Sequence, residues 1–555
     1  MPKINIADRL ILMKKTLYYL EKILDDVSSK KTNFLIWFLA FLATIALRVY
    51  IEKFIASPSL QMSEVIIEYL HNFLFFLILF LIIWLICSQI LKENPLKLAN
   101  IMQWGFWIIL LPPLLDIVKT GGEVYWSFYV LNDINGVLVQ FLTFFGDAPS
   151  GIVYYGTKIT FTLAILFVFF LIFIKSKSFW KAIGGGFLTY LAIFFMGNFP
   201  NIFVFAYNAF GKIKPVTEIK IYEIIQFFGA PSKIFGLEYQ SLKYAFAYNL
   251  DLIYLLFLSI LVPMIFFISD RQKFWAVFHN MRWPQIVYHG GLFLIGMGLG
   301  LLSYPENYSL NIFSVAAVLA LLNSTNLAWM ASVVVNDIYD YNIDAISSPW
   351  RPLQQKIFTT SEYKNFGIIV FILSLLGGLI VGVKFMALLL VYQILAYFYS
   401  ADPYRLKKLP VLATFLSTVT ALVILFMGFT LVSGDQNIQG LSGKIVVLLL
   451  LSFTLSLPIK DFKDIAGDKR YQIWTIPVLL GEDRARLLVA IGVFISFIAS
   501  VFFLNELSLF WWAIAFSSGI FLVIVNKKIK TTNLFWWVLS LETAYILILI
   551  RLVFF

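Results

Sequence analysis

The stretch NDIYDYNIDAISSPWRP, Asn336 to Pro352, follows the apolar run LAWMASVVV with no intervening linker. On an α-helix each residue advances about 100°, so positions four and eight apart share a stripe. Asn336, Asp340 and Asp344 therefore lie on one face, with Asp337 one step round. Left unpaired at the mouth of a greasy segment, such a face carries like-charge repulsion and a desolvation cost. A second polar island, PIKDFKDIAGDKRYQIWTIPVLLG from Pro458 to Gly481, repeats the design with Asp461, Asp464 and Asp468 spaced three and four apart.

Outside these islands the chain is mostly apolar. Of 555 residues, 61% are hydrophobic, 18% aromatic and 13% charged, against about 25% charged in soluble proteins. A membrane-crossing helix needs roughly 20 apolar residues, and about fifteen segments qualify. They lie near 33–51, 66–92, 101–119, 151–175, 180–199 and 246–269, then near 285–303, 311–335, 365–383, 385–400, 411–432, 444–459, 487–504, 507–526 and 533–553. The expected fold is all-α: a polytopic transmembrane bundle of six spans (1–282) followed by nine (283–555), divided at the basic stretch SDRQKFWAVFHNMRWPQ.

The net charge of +11 sits in short connectors between spans, which is the signature of orientation and excludes a nucleic-acid partner. Lys14, Lys15, Lys22, Lys30 and Lys31, with KSKSFWK, DRQK, YRLKKL, KDFKDIAGDKR and NKKIK, all fall on one side, cytoplasmic by the positive-inside rule. This puts the N-terminus inside and both aspartate islands at the inner face of a cell membrane; the Lys, Ile and Asn bias suits a prokaryote. Asn201 to Ala245 carries Lys212, Lys214, Lys220 and Lys233 on the outer side and reads as a long loop exempt from the rule. The first thirty residues read as a basic amphipathic lead-in. The single cysteine, Cys87, excludes a disulfide framework, and His71, His279 and His289 are too scattered for a metal cluster.

In the first half, FIASPS (54–59), FFGDAPS (144–150) and FFGAPS (227–232) each precede a long span, which suggests three related helical hairpins. Pro-Ser is also an ordinary helix start. No paired ionisable residues are apparent inside these six spans, so no chemistry is assigned to residues 1–282.

Carboxylates with an amide oxygen are hard ligands that suit Mg²⁺, commonly shared with substrate phosphates. Arg351, Lys356, Arg405, Lys407, Lys408, Lys463, Lys469 and Arg470 lie in the same set of inner connectors and supply charge for an anion. Positive-inside bias alone also places Lys and Arg there; Arg351, fixed between Pro-Trp and Pro, escapes that explanation best. The ligand so described is a diphosphate, whose other end in an apolar bundle is a lipid chain.

The first stretch resembles the N-D-x-x-D-x-x-x-D signature of UbiA-type intramembrane prenyltransferases. KDFKDIAGDKRYQIWTIPVLLG looks like their second aspartate motif, and YSADPYRLKKLP is similar to their Tyr-Ser…Arg-Leu-Lys connector. Nine spans from about residue 283 fit that family's bundle. The resemblance implies that Asn336, Asp340, Asp344, Asp464 and Asp468 bind two Mg²⁺ ions, assisted by Asp337 and Asp461. It likewise implies that Arg351, Arg405, Lys407 or Lys408, and Lys469 or Arg470 grip the diphosphate of a polyprenyl donor. The expected activity is transfer of the prenyl group to an aromatic or lipid acceptor within the membrane. Tyr399 and Asn326 are candidate tunnel residues, although an interhelical hydrogen bond is the more ordinary role for Asn326. Two positions depart from the family: Ser348-Pro349 stands where Asn-x-Pro is frequent, and Gln472 where Gly is. A transporter for divalent cations or anions, and a non-catalytic scaffold binding lipid diphosphates, are the readings from other classes. Against the first, the aspartates cluster at one inner end, not near the midplane.

Overall fold

The structure is a computed structural model and describes residues 6–56, 62–120, 130–146, 155–231, 233–238, 242–434 and 440–554. It is built from helices, with one two-stranded antiparallel hairpin, Lys233–Ile234 against Leu237–Glu238, among the described residues. Fifteen helices are long and apolar enough to cross a membrane, from Phe34–Ile55 to Thr531–Leu549. Each coincides with one of the spans read from hydropathy, and the chain is an integral multi-pass membrane protein. By internal contacts it divides into two units, Met1–Ser232 with Tyr239–Phe274, and Lys233–Glu238 with Trp275–Phe555.

In the first unit the helix Met62–Leu91 is central, packed by Leu242–Ser269, Phe179–Gly197 and Phe34–Tyr50. At 30 residues it is about 45 Å long, more than a ~30 Å hydrocarbon layer requires. This unit corrects the expectation that its spans hold no paired ionisable groups. Arg48 bonds Glu52 at 2.6 Å, Lys53 bonds Glu68 at 2.6 Å, and His71 Nδ1 lies 2.7 Å from Asp251, all buried. His71 and Asp251 are 180 residues apart, so spacing along the chain cannot reveal them. The supposed long loop after Asn201 is largely helical, with Phe199–Gly211 and Ile221–Gly229. The Pro-Ser turns at 57–59 and 147–150, and Ser232, lie outside the described residues.

In the second unit, Trp283–Ser303 packs most extensively on Pro410–Ser433, and Ile312–Tyr339 on Thr360–Val381. Membrane helices gain little from hydrophobicity against lipid and pack through small residues that let backbones approach. Gly296 and Gly428 do this reciprocally: a methyl on Gly428 would lie 2.0 Å from the Phe293 carbonyl oxygen, and one on Gly296 2.0 Å from that of Leu425. The helix Gly443–Ser456 does not continue as α-helix. At Leu457-Pro458 it tightens into a 3-10 segment, Leu457–Asp464, before Ile465–Arg470 resumes. Pro458 lacks the N–H that would continue the ladder, so the second aspartate island lies across two helical geometries.

The close crossing gives a test. Gly428→Ala must push backbone from backbone, at a cost of about 1–3 kcal/mol, and is expected to lower the thermal midpoint of detergent-purified protein. Gly298→Ala, which meets nothing within 4 Å, should leave it unchanged.

Candidate active site

The helix Ile312–Tyr339 bends at Asp340 (φ −97°, ψ 12°) into the short helix Tyr341–Ser347. The four-residue step survives the bend, because the N–H groups of Asp340, Asp344 and Ser348 donate to the carbonyls of Asn336, Asp340 and Asp344, each at 2.8 Å. Asn336, Asp340 and Asp344 consequently line one chamber, of about 200 Å³. Asp337 does not. It is fully buried, its Oδ1 taking Arg282 at 2.8 Å and Arg351 at 3.0 Å, and its Oδ2 accepting from Asn280 at 2.6 Å and Tyr363 at 3.0 Å.

The second motif forms the facing wall. In a 3-10 helix residues three apart eclipse, which puts Asp461 and Asp464 on one side, and both line the chamber with Asp468. The two motifs touch through Gly467, which packs on the first motif's short helix. A methyl there would lie 2.2 Å from Ser347 Oγ, 3.0 Å from Ile343 Cγ2 and 3.2 Å from the Ile343 carbonyl oxygen.

The cations divide unevenly. Asp340 Oδ1 is gripped by Arg405 at 2.8 Å and by Lys407, and Asp344 by Arg351. By contrast, Asp461, Asp464 and Asp468 make no hydrogen bond or ion pair among the described residues. Arg351 and Lys407 line the chamber, while Arg405 meets Asp340 from the side and also donates to the Tyr339 carbonyl at 3.0 Å. Lys408, Lys469 and Arg470 are exposed and outside the lining, as is the exposed Lys356. Asn326 is not in the lining either; Tyr399 is.

Several chamber residues are not singled out by the sequence reading. Arg282 bonds both Asn336, at 3.1 Å, and Asp337. Lys460 donates to Ser417 Oγ at 2.8 Å and stands 4.8 Å over the Tyr399 ring. Tyr288, His289, Trp329 and Tyr392 line the deeper part. Arg282 could have been suspected only as one more basic residue in an inner connector.

Burial pushes the Asp344 carboxyl up to about 7; Arg351 opposes this, while the negative charges of Asp337 and Asp340 reinforce it. For Arg351, burial favours the neutral form, but Asp337, Asp344, Asp464 and Asp340 outweigh it and hold the guanidinium charged. Asp464 belongs to the second motif, so the field at Arg351 already joins the two walls.

A group whose pKa is raised on folding stabilises the fold at low pH and loses that contribution as pH rises from its unfolded value near 4 to its folded value of about 7. In chelator, Asp344→Asn is expected to flatten this part of the stability profile and raise the thermal midpoint at pH 8, by about 2–4 °C per kcal/mol relieved. Thermal unfolding at stepped pH measures it. Gly467→Ala should wedge the walls apart and cost about 1–3 kcal/mol. Combining it with Ser347→Gly should restore part of the loss, read as coupling in a double-mutant cycle.

Residues 291–539 match the family model described as the UbiA prenyltransferase family. Among similar proteins, the digeranylgeranylglyceryl phosphate synthase of Methanosphaera stadtmanae is 29% identical over 192 residues, 34% of this chain and 68% of that protein. That of Sulfolobus acidocaldarius is 31% identical over 170 residues, covering 29% of this chain and 58% of that protein. The matched stretch thus spans about three-fifths of these relatives' length. A solved UbiA homolog from Archaeoglobus fulgidus, bound to GPP and Mg²⁺, is 19% identical over 49% of this chain and 97% of that one, with a TM-score of 0.39. The similarity to the UbiA prenyltransferase family thus runs over residues 291–539, in the C-terminal half of this chain.

Proposed function

We propose that the second unit transfers a prenyl group from a polyprenyl diphosphate to a lipid acceptor inside the membrane, with Mg²⁺ required. The observation that carries this reading is the division of charge in the chamber: three carboxylates that make no hydrogen bond or ion pair among the described residues face a first motif whose carboxylates are held by Arg and Lys. Among the described residues no three of these carboxylates are gathered as a ready metal site, but the donor chemistry fits Mg²⁺: hard oxygens line one chamber, and two of the aspartates have cations that a diphosphate could take over. Asn336, Asp340, Asp344, Asp461, Asp464 and Asp468 would hold the metal. When bound, it would supply positive charge against the diphosphate as the carbon–oxygen bond breaks.

The chain's own residues do the rest. Arg351, Lys407 and Arg405 turn from carboxylate to diphosphate oxygens and stabilise the negative charge that grows on the leaving group. Asp337 keeps Arg282 and Arg351 aimed and is a positioning residue, not a ligand. Trp329 and Tyr392 deeper in the chamber, and Tyr399 beside Lys460, offer ring faces to an allylic cation and keep water from it. Lys460, held by Ser417 and paired with no carboxylate, suits an anionic group on the acceptor. A glyceryl phosphate, which the relatives' name contains, carries one. The positive-inside reading supports a chamber opening to the cytoplasmic face of a prokaryotic membrane. The transporter reading gains nothing from this geometry, because both aspartate clusters stand together at one end of the chamber.

Purified protein with labelled geranylgeranyl diphosphate, geranylgeranylglyceryl phosphate and Mg²⁺ tests the reading. Product formation is expected, with a drop of 10³-fold or more in Asp340→Ala and Asp464→Ala, and loss in chelator restored by Mg²⁺. Wild-type protein that binds the donor and transfers it to neither lipid nor aromatic acceptors would defeat it.

A further inference from the structure

Besides Thr475 Oγ1, the chamber lining carries two neighbouring polar atoms that the fold leaves unsatisfied. Tyr288 and His289 are neighbours on Trp283–Ser303 and both line it. His289 is 6% exposed, and its Nδ1 and the Tyr288 hydroxyl are buried without a hydrogen-bond partner. Rings surround the imidazole, with centroids of Trp329, Tyr288 and Tyr392 at 5.2, 5.7 and 5.9 Å. Trp329 is fixed in turn by its Nε1 on the Met281 carbonyl at 2.9 Å.

A buried polar atom left unpaired costs about 1–3 kcal/mol, so two adjacent ones in one chamber point to a ligand that completes them. The hydrocarbon of a prenyl donor cannot. A polar group on the second substrate can. The depth is also suitable: His289 follows Arg282, and Trp329 precedes Asn336, by the same interval, about 10 Å at 1.5 Å per residue. With a diphosphate head at the aspartates, the donor's first carbons would lie at this level.

We propose that His289 is a catalytic residue that takes the proton of an acceptor hydroxyl, with the Tyr288 hydroxyl holding the acceptor oxygen, so that this chamber makes an ether. The inference rests on the prenyl-transfer reading. The bond between the first prenyl carbon and the diphosphate oxygen breaks, both electrons leaving with the diphosphate. A lone pair of the acceptor oxygen forms the new carbon–oxygen bond, and the hydroxyl proton passes to His289 Nδ1. With its own hydrogen on Nε2, neutral imidazole presents the Nδ1 lone pair for this. An oxygen that has just gained a third bond is strongly acidic, so a weak base in reach suffices. The imidazolium then returns its proton to water or to the departing diphosphate. Tyr392 and, acting on Tyr288 from the last helix, Glu542 are the other titratable groups facing this pair. Glu542 is the competing base.

The experiment uses the full chain in lipid nanodiscs with Mg²⁺, labelled geranylgeranyl diphosphate and geranylgeranylglyceryl phosphate. His289→Gln is expected to keep donor affinity within about twofold while kcat falls about 10²-fold or more, the usual range for a lost general base. His289→Ala should regain part of its rate on addition of free imidazole, which a merely structural histidine would not allow. Tyr288→Phe should raise the acceptor KM without weakening donor binding. Turnover by His289→Gln within threefold of wild type, no rescue of His289→Ala by imidazole, or a kcat loss confined to Glu542→Gln would each overturn the assignment and leave prenyl transfer standing. Wild-type protein without transfer to any hydroxyl acceptor would overturn it too, and transfer to aromatic carbon alone would do so while preserving the wider reading.

Discussion

The charge on Asp337 must be neutralised where it stands, and much of the chamber's geometry follows from that requirement. An isolated carboxylate in a medium of low dielectric is prohibitively costly, and removing one partner of such a buried pair typically costs 3–5 kcal/mol. Asp337 is satisfied by four groups from separate parts of the chain: Asn280 and Arg282 ahead of one helix, Arg351 in the turn after the motif, and Tyr363 on a third element. Two of these ties, Arg282 and Arg351, fix residues that also line the chamber. Arg351 is thereby held against Asp344, and Arg282 against Asn336. The residue that sequence resemblance nominates as an accessory metal ligand is bonded to two arginines, Asn280 and Tyr363 and lies outside the chamber lining.

The two walls then stand in different electrostatic states. One has its carboxylates matched by Arg and Lys; the other does not. Adding a divalent cation and a diphosphate together would exchange partners, metal replacing guanidinium and ammonium at the aspartates, and phosphate oxygens taking the freed cations. Neither addition alone is as favourable, since each leaves one set of buried charges without a match. This gives the proposed site a physical reason to take donor and metal as a unit, and it needs the walls to stay close. Gly467, with no room for a methyl, is what permits that distance.

Much of this was legible in the chain and some was not, for reasons that differ by residue. The spans could be read because hydrocarbon demands a length and a composition, and the first motif because its spacing survives the bend at Asp340. Asp461 and Asp464 were read as one α-helical face; they do share a side, but through 3-10 geometry that Pro458 imposes. Asp337 could not be separated from its neighbours by a stripe argument, because one step round a helix is enough to send it to a different set of partners. His289 and Tyr288 are polar residues in an apolar helix, where nothing local distinguishes a chamber wall from a helix contact, and Lys460 is one more lysine in a charged connector. The pairs His71–Asp251 and Lys53–Glu68 were invisible because they join separate elements.

Part of the chain's backbone strain lies beside the same site, among left-handed residues that also occur elsewhere. Arg282, Arg405 and Gln472 all have φ between 40° and 56°, a left-handed conformation that costs a side-chain-bearing residue roughly 1–2 kcal/mol. At 472 the family often has Gly, and the φ of 56° explains why: Gly adopts it without that cost. No glycine could serve at 282 or 405, because the side chain itself is needed, Arg282 on Asn336 and Asp337 and Arg405 on Asp340. Such strain persists where surrounding contacts over-determine the conformation. At both arginines those contacts are charge-assisted bonds to the first motif, so the aspartates hold in place the backbone turns that deliver their own counter-charges.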